Sequence, residues 1–502
     1  MERNLMEKFK QELLDIYYFS SAIGILHWDQ EVNMPVKGSE IRSKIIGNLA
    51  GELHDKFTSP KFERLLRQLK QKWAAGKLND EDSCIVREIW REFSREKKLP
   101  LSFVKELAET TARAQTIWGE ARKKNDFKIF LPELKKIVEL KRKEAQLVGY
   151  KKSPYDALLD TYEPYLNTED IEMIFSELKG FLVPFLAKIK KSKVRIKENI
   201  LKGDFPIEKQ IRFNRSMMEK LGFDFAAGRL DESTHPFTIF INPVDVRMTT
   251  RYKKDNIFYS INSTIHETGH SLYEQGLPLE RFGTPLGESI SLGIHESQSR
   301  MWENVMGRGE NFWKYFYPKM QKEFPQPFGK IKFSDFYKTI NSVKPSFIRT
   351  EADEVTYNLH IILRFEIEKD LIEGVIAVED LPRIWNDKFK EYFGLKVPSD
   401  ALGVLQDVHW SGGMIGYFPT YTLGNLYASQ FYATAEKEII NLEKEIKKGH
   451  FEHLLNWLRK NIHIHGKMFS AEKLVEKVTG EKLSSQYFID YLRNKYSKIY
   501  EL

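Results

Sequence analysis

A mainly α-helical fold carrying one small β-sheet is predicted for this 502-residue chain, and three observations predict it. Apolar residues recur three and four apart over most of the sequence, β-branched and aromatic residues gather in one short stretch, and no repeat or linker divides the chain. The helical spacing begins with Leu5, Phe9, Leu13 and Ile16. It is clear again in Ile171, Ile174, Phe175, Leu178 and Leu182, where Thr168-Glu169-Asp170 supplies a cap and an acidic first turn. The β-rich stretch is Thr234 to Ile261: a strand over Phe237-Thr238-Ile239-Phe240-Ile241, a turn at Asn242-Pro243, and a second run through Val246, Thr249 and Tyr252 towards Ile257-Phe258-Tyr259. Such a sheet would adjoin the next helix in the chain and in space. Pro325-Gln326-Pro327 reads as a local loop, so residues 1–502 are taken as one unit, in which residues 1–200 could form a separable helical lobe covering a cleft.

Composition narrows the classes. At 41% hydrophobic and 30% charged residues the chain reads as globular, with a core that its length can sustain. The opening Met1-Glu2-Arg3-Asn4-Leu5-Met6-Glu7-Lys8 has acidic residues where a signal peptide needs basic ones, and no stretch has the length of a membrane span, so a cytoplasmic location and no membrane partner are expected. A single cysteine, Cys84, excludes an intramolecular disulfide framework and leaves any metal to His and carboxylate ligands. The net charge of +7 is interspersed, and the basic run Lys188 to Lys202 lacks interleaved aromatics. It reads as a solvated helix end and loop, and nucleic acid is not an expected partner.

The chemistry concentrates at His266-Glu267-Thr268-Gly269-His270. Two histidines four apart on a helix share a face and can bind one ion, with the carboxylate between them directed to the same place. The bland alternative is a surface helix with two unrelated histidines. Gly269 offers a point where another backbone can approach closely. A catalytic zinc needs a third protein ligand and an open position for water. Glu296, in Gly293-Ile294-His295-Glu296-Ser297-Gln298, lies 26 residues after His270, room for a turn through Gly276-Leu277-Pro278 and Gly283 to Gly287 and for a returning helix. His295 is the rival. Neighbouring helical positions point about 100° apart, so only one of the two should face the ion. Glu296 is preferred because the downstream His spacing of the metzincin pattern is missing.

Several further blocks extend the pattern: His235-Pro236-Phe237, Asp245-Val246-Arg247-Met248-Thr249, Ile348-Arg349-Thr350-Glu351-Ala352-Asp353 and Gly403-Val404-Leu405-Gln406-Asp407-Val408-His409-Trp410. Trp28-Asp29-Gln30 with Met34-Pro35, and Tyr155-Asp156-Ala157-Leu158-Leu159-Asp160, stand before them. Together with the HExxH and His295-Glu296-Ser297-Gln298 blocks these closely resemble the M32 family of thermostable carboxypeptidases, from about residue 27 to 430 and in the family's order. The resemblance implies a large helical metallopeptidase with a deep substrate cleft and a small β-sheet beside the HExxH helix. It also implies removal of single C-terminal residues from peptides with broad side-chain tolerance, one zinc ion per chain with cobalt as a possible substitute, and a homodimer.

A bound zinc ion makes water a usable nucleophile near neutral pH, and Glu267 is placed to take its proton and pass it to the leaving amine. The oxyanion needs further donors. His409 and, twelve positions later, Tyr421 look similar to a His and Tyr pair in the related oligopeptidases; Tyr417 is the alternative, and ordinary packing is the bland reading of either tyrosine. A peptide's free C-terminal carboxylate suits a planar arginine fork. Arg349, oriented by Glu351 and Asp353, is the first candidate, with a structural ion-pair network as the alternative. Arg247 is the second, on a strand edge that could pair with substrate beside His235, Pro236 and Phe237, or simply a brace for the sheet. His27, His54 and His360 stand alone, and His450, His453, His463 and His465 are loosely spaced, so no second metal site is assigned. The competing functions are a zinc oligopeptidase cutting internal bonds and a helical binding protein with a structural metal.

Overall fold

The structure, a computed structural model, describes residues 2–502, which divide into two compact units. Some 70% of it is helical, with one three-stranded sheet. The predicted mainly α class therefore holds. The first unit takes the chain up to Lys97, Lys197–Ile340 and Phe431–Lys482; the second takes Lys98–Ile196, Asn341–Gln430 and Leu483–Leu502. Residues 1–200 are thus shared between the two. Among the described residues no helix is long and apolar enough to cross a membrane.

In the first unit the helices Glu2–Val32, Pro60–Ala74 and Asp80–Lys98 bury Phe9, Leu13, Phe62, Leu66, Leu69, Ile85, Ile89 and Phe93 in one cluster, the three-and-four spacing of each helix supplying one apolar face. The sheet runs β1 (Gly228–Glu232), β2 (Thr238–Asn242) and β3 (Asp245–Thr250) in the spatial order β1-β3-β2, with β1 parallel and β2 antiparallel to β3. The turn at Asn242-Pro243 is where sequence placed it. Two expectations change. Gly228–Glu232 adds a strand that its composition did not announce. Ile257-Phe258-Tyr259 does not continue the sheet but starts the helix Ile257–Glu274, because Asn256 caps it by accepting from the Tyr259 amide at 3.3 Å. That helix packs on β3 and β2, and its Thr264 and Ser263 hydroxyls meet Thr250 Oγ1 at 3.2 and 2.7 Å.

The second unit is built on Leu101–Lys124, Phe127–Val148, Thr168–Lys191, Tyr357–Glu373, Leu381–Phe393 and Gln486–Tyr500. The helix Thr168–Lys191 buries Ile171, Phe175, Leu178 and Leu182, and Phe175 meets Phe365 edge-on at 5.3 Å. Its cap is Asn167, one residue earlier than expected, accepting from the Asp170 amide at 3.0 Å. Gly416 has φ +96° and lies so close to the backbone of Leu158 and Leu159 that a Cβ would meet it at 2.9–3.0 Å. Only glycine fits there.

Candidate metal centre and associated residues

His266 and His270 project from one face of the helix Ile257–Glu274, and Glu296 comes from the helix Leu292–Arg300, which Ser291 caps by accepting from Ile294 N at 3.1 Å. The two helices touch at Gly269, where a Cβ would stand 2.6 Å from Ser299 Cα and 2.7 Å from the Gln298 carbonyl oxygen. This backbone approach brings the three side chains together. Nε2 of His266 and Nε2 of His270 are 3.2 Å apart, and Glu296 Oε2 lies 3.9 Å from the first and 3.4 Å from the second. Ligands at about 2.0–2.1 Å in a tetrahedron stand about 3.3 Å from one another, so the donor set has the size of a metal site.

The surrounding hydrogen bonds decide which nitrogens are free. Glu303 accepts from His266 Nδ1 at 2.8 Å, leaving Nε2 with its lone pair. His270 Nδ1 is engaged by His295 Nδ1 at 2.5 Å, and His295 Nε2 by Glu274 Oε1 at 2.5 Å. Two lone pairs and a carboxylate oxygen therefore face one another, an arrangement that requires a positive charge between them. A proton on His266 can also supply that charge: burial works against the cation, yet Glu296, Glu303 and Glu267 outweigh it and raise the ring to about 9. Burial lowers His270 to about 3. Burial opposes ionisation of Glu296 too, but Arg300 and His266 hold its carboxylate well below the usual range. These residues fit a divalent cation.

Glu267, only 6% exposed, is held by β2: Thr238 Oγ1 donates to its Oε2 at 2.6 Å. Burial raises its carboxyl above the ordinary value, opposed by His266 and the Thr238 hydroxyl. His235, Pro236 and Phe237 form the segment that leads into Thr238, with His235 at the surface and the Phe237 amide on Thr249 Oγ1 at 3.1 Å. Arg247 does not sit on an edge strand, since β3 is the centre of the sheet. Its guanidinium pairs with Asp245 at 2.9 and 3.0 Å and lies 4.5 Å from the Trp28 ring centroid, the bracing arrangement.

Four of the sequence-selected residues belong to the second unit. Arg349 is 6% exposed; its Nε donates to Asp407 at 3.0 Å and its Nη1 to the Tyr357 hydroxyl at 3.0 Å, while the Tyr421 ring centroid is 4.9 Å from the guanidinium. The expected orienting pair, Glu351 and Asp353, does not serve. Glu351 is exposed, and Asp353 accepts from the amides of Lys344, Val355 and Thr356 instead, because it ends a loop whose amides need partners. Asp407 also takes Arg364 Nε at 2.7 Å. His409 Nε2 and the Tyr421 hydroxyl are 3.5 Å apart, and the Tyr417 ring lies 5.5 Å from His409 and 5.4 Å from Tyr421. Burial and the Arg349 charge lower His409 to about 4, so its imidazole is neutral at pH 7.

Sequence reasoning missed Glu303, Arg300, Glu274, Thr238 and Asp407. One signal was available: Glu296, Arg300 and Glu303 follow at four and three, a single helical face, on which Arg300 bonds Glu296 at 2.6 Å and Glu303 at 3.2 Å. Glu303 lies in the π-helical turn Met301–Met306, a local widening that spacing does not reveal. Glu445, His450 and His453 form a second His/carboxylate grouping, but Glu445 is already bonded to Lys448 at 2.7 Å and to His450 at 2.6 Å.

Comparison with known proteins covers the whole chain. The family model for Carboxypeptidase Taq (M32) metallopeptidase matches residues 8–496. Thermostable carboxypeptidase 1 of Thermus thermophilus is 42% identical, over 99% of this chain and 98% of its own, and carboxypeptidase 1 of Bacillus subtilis is 40% identical over 100% of both. The crystal structure of the M32 carboxypeptidase from Deinococcus radiodurans R1 superposes with a TM-score of 0.96 at 35% identity, covering 99% of this chain and 100% of that one. A shared sequence and architecture of this extent, around donors that suit a divalent ion, make this chain a member of the M32 family of metallocarboxypeptidases, which are peptide hydrolases.

Proposed function

We propose that this enzyme is a zinc-dependent carboxypeptidase that removes single C-terminal residues from peptides, with broad side-chain tolerance and Glu267 as general base. The convergence of His266 Nε2, His270 Nε2 and Glu296 Oε2, with Glu267 anchored beside them, carries the reading. Two imidazoles and one carboxylate suit zinc, and cobalt accepts the same donors. When bound, such an ion lowers the pKa of water and polarises the scissile carbonyl. Thr238 engages Oε2 of Glu267, which leaves Oε1 to take the proton from water and deliver it to the leaving amine. The neutral His409 and the Tyr421 hydroxyl are the proposed donors to the oxyanion, with Tyr417 packing beside them. Arg349, fixed through Nε and Nη1, is proposed to bind the terminal carboxylate through its remaining face, and His235, Pro236 and Phe237 to border the substrate beside Glu267. Arg247 is assigned to the sheet.

A time course on a free-acid peptide, read by mass, tests direction and class together. One-residue losses from the C-terminus, abolished by chelation and restored by Zn2+, are expected. Equal cleavage of the C-terminally amidated peptide would sink the Arg349 clamp and favour the oligopeptidase reading. Glu267→Gln should lower turnover by about 10²–10⁴-fold while metal content is retained; unchanged turnover would favour a structural metal. A homodimer, which the family resemblance alone implies, is tested by light scattering, and the expected cytoplasmic location by cell fractionation.

A further inference from the structure

His295 precedes Glu296 on the same helix and stands outside the donor set, yet it touches one of its members. We propose that His295 and Glu274 form a positioning relay that holds His270 in its metal-binding tautomer, an inference that rests on the ligand set proposed above. The directions of the hydrogen bonds follow from the chemistry of the last group. Glu274 Oε1 is placed as the acceptor of the 2.5 Å contact, which puts the proton on His295 Nε2. His295 Nδ1 is then the bare nitrogen of its ring and accepts from His270 Nδ1 across 2.5 Å. His270 Nε2 keeps its lone pair, and that atom lies 3.2 Å from His266 Nε2 and 3.4 Å from Glu296 Oε2. Moving the His270 proton to Nε2 would place two bare nitrogens face to face at Nδ1 and point a hydrogen into the donor set.

Position and environment support the role. Glu274 follows His270 by one turn on the same helix, and His295 comes from the helix that carries Glu296, so the relay ties together the two elements that supply the ligands. Its side chains are enclosed, Glu274 at 5% and His295 at 17% exposed, and the Tyr273 ring backs His295 at 5.4 Å. His266 has the shorter version of the same device in its direct bond to Glu303. A carboxylate at the end of such a chain fixes ring orientation and raises ligand basicity.

The test is made on the full chain stripped of metal, titrated with Zn2+ in competition with a chromophoric chelator and with Co2+ followed by its visible absorption. His295→Phe keeps a ring but no acceptor, and should weaken Zn2+ binding roughly 10- to 100-fold and alter the Co2+ spectrum. His295→Asn, whose Oδ1 can replace Nδ1 as acceptor, should recover most of the loss. Binding by His295→Phe equal to the parent, or no recovery in a folded His295→Asn, overturns the relay. Should His295→Phe fail to fold by circular dichroism, Glu274→Leu and Glu274→Gln replace it: the first should bind weakly and the second better, and parental affinity in Glu274→Leu refutes the proposal. His270→Ala separates the two levels, because tight binding that survives there removes the ligand set itself, whereas its loss beside a parental His295→Phe removes only the relay.

Discussion

One methyl group added at Gly269 should push apart the two helices that carry the metal-type donors. A Cβ at this position would meet Ser299 Cα at 2.6 Å, the Gln298 carbonyl oxygen at 2.7 Å and the Gln298 carbonyl carbon at 3.0 Å. All three are backbone atoms, so no side chain can swing aside. Ordinary carbon contacts begin at about 3.5 Å, so the Glu296 helix must retreat by roughly 0.9 Å at Ser299, three residues from Glu296. Overpacking of this kind costs about 1–3 kcal/mol. The donors now lie 3.2–3.9 Å apart, and metal sites tolerate displacements of only about 0.2 Å in ligand distance. Gly269→Ala is therefore expected to lose 1–3 kcal/mol of metal-free stability by denaturant titration and at least about tenfold in Zn2+ affinity by chelator competition. Gly180→Ala is the control. That glycine is exposed in the helix Thr168–Lys191 with nothing within 4 Å of an added Cβ, so the substitution should stabilise by about 0.5–1 kcal/mol. A Gly269→Ala enzyme with parental stability and parental metal affinity would refute the argument that close backbone contact sets the donor spacing.

Three further outcomes are expected. Arg349→Lys loses the fork that Asp407 and Tyr357 orient, and should raise KM for free-acid peptides about 10- to 100-fold; steady-state kinetics on matched free-acid and amidated peptides must show the effect confined to the former. Asp407→Asn leaves Arg349 and Arg364 buried without their shared anion and should cost about 3–5 kcal/mol in thermal or denaturant unfolding at pH 7. Because the two arginines overcome the cost of burial and hold Asp407 below the usual carboxylate range, its contribution is present above the unfolded value of about 3.9 and lost as the pH falls further; the gap between parent and variant should close in acid, and a constant gap argues against the pairing. Glu368 behaves in the opposite sense. Burial raises it to about 7 despite hydrogen bonds from Trp410, Gly416 and Tyr155, so it favours the fold below about pH 4.5 and costs up to about 3 kcal/mol as the pH climbs through 7. Glu368→Gln does not titrate, so the melting-temperature difference should move in its favour between pH 4.5 and 8; a flat difference would count against the raised value.

Much of the local structure was legible in the chain itself. The apolar spacing around Leu178 and Phe9, the strand at Phe240 and the helix through His266 and His270 depend on neighbours within a few residues, and such neighbours are visible in a linear reading. The facing of His266 and His270 follows from helical geometry alone, and the choice of Glu296 over His295 from ligand type and spacing. Tertiary structure decided what depends on distant segments. Gly228–Glu232 becomes a strand because β3 offers it a partner, not through its own composition. Arg349 turns to Asp407, 58 residues away, rather than to its neighbours Glu351 and Asp353, because a buried guanidinium needs an anion on the side it faces. Glu303 reaches His266 through a π-helical turn, and Thr238 reaches Glu267 across the seam between strand and helix. A sequence read by itself determines which residue types can bind a cation; the folded chain decides which nitrogen of each histidine is bare, because that depends on an acceptor brought from elsewhere.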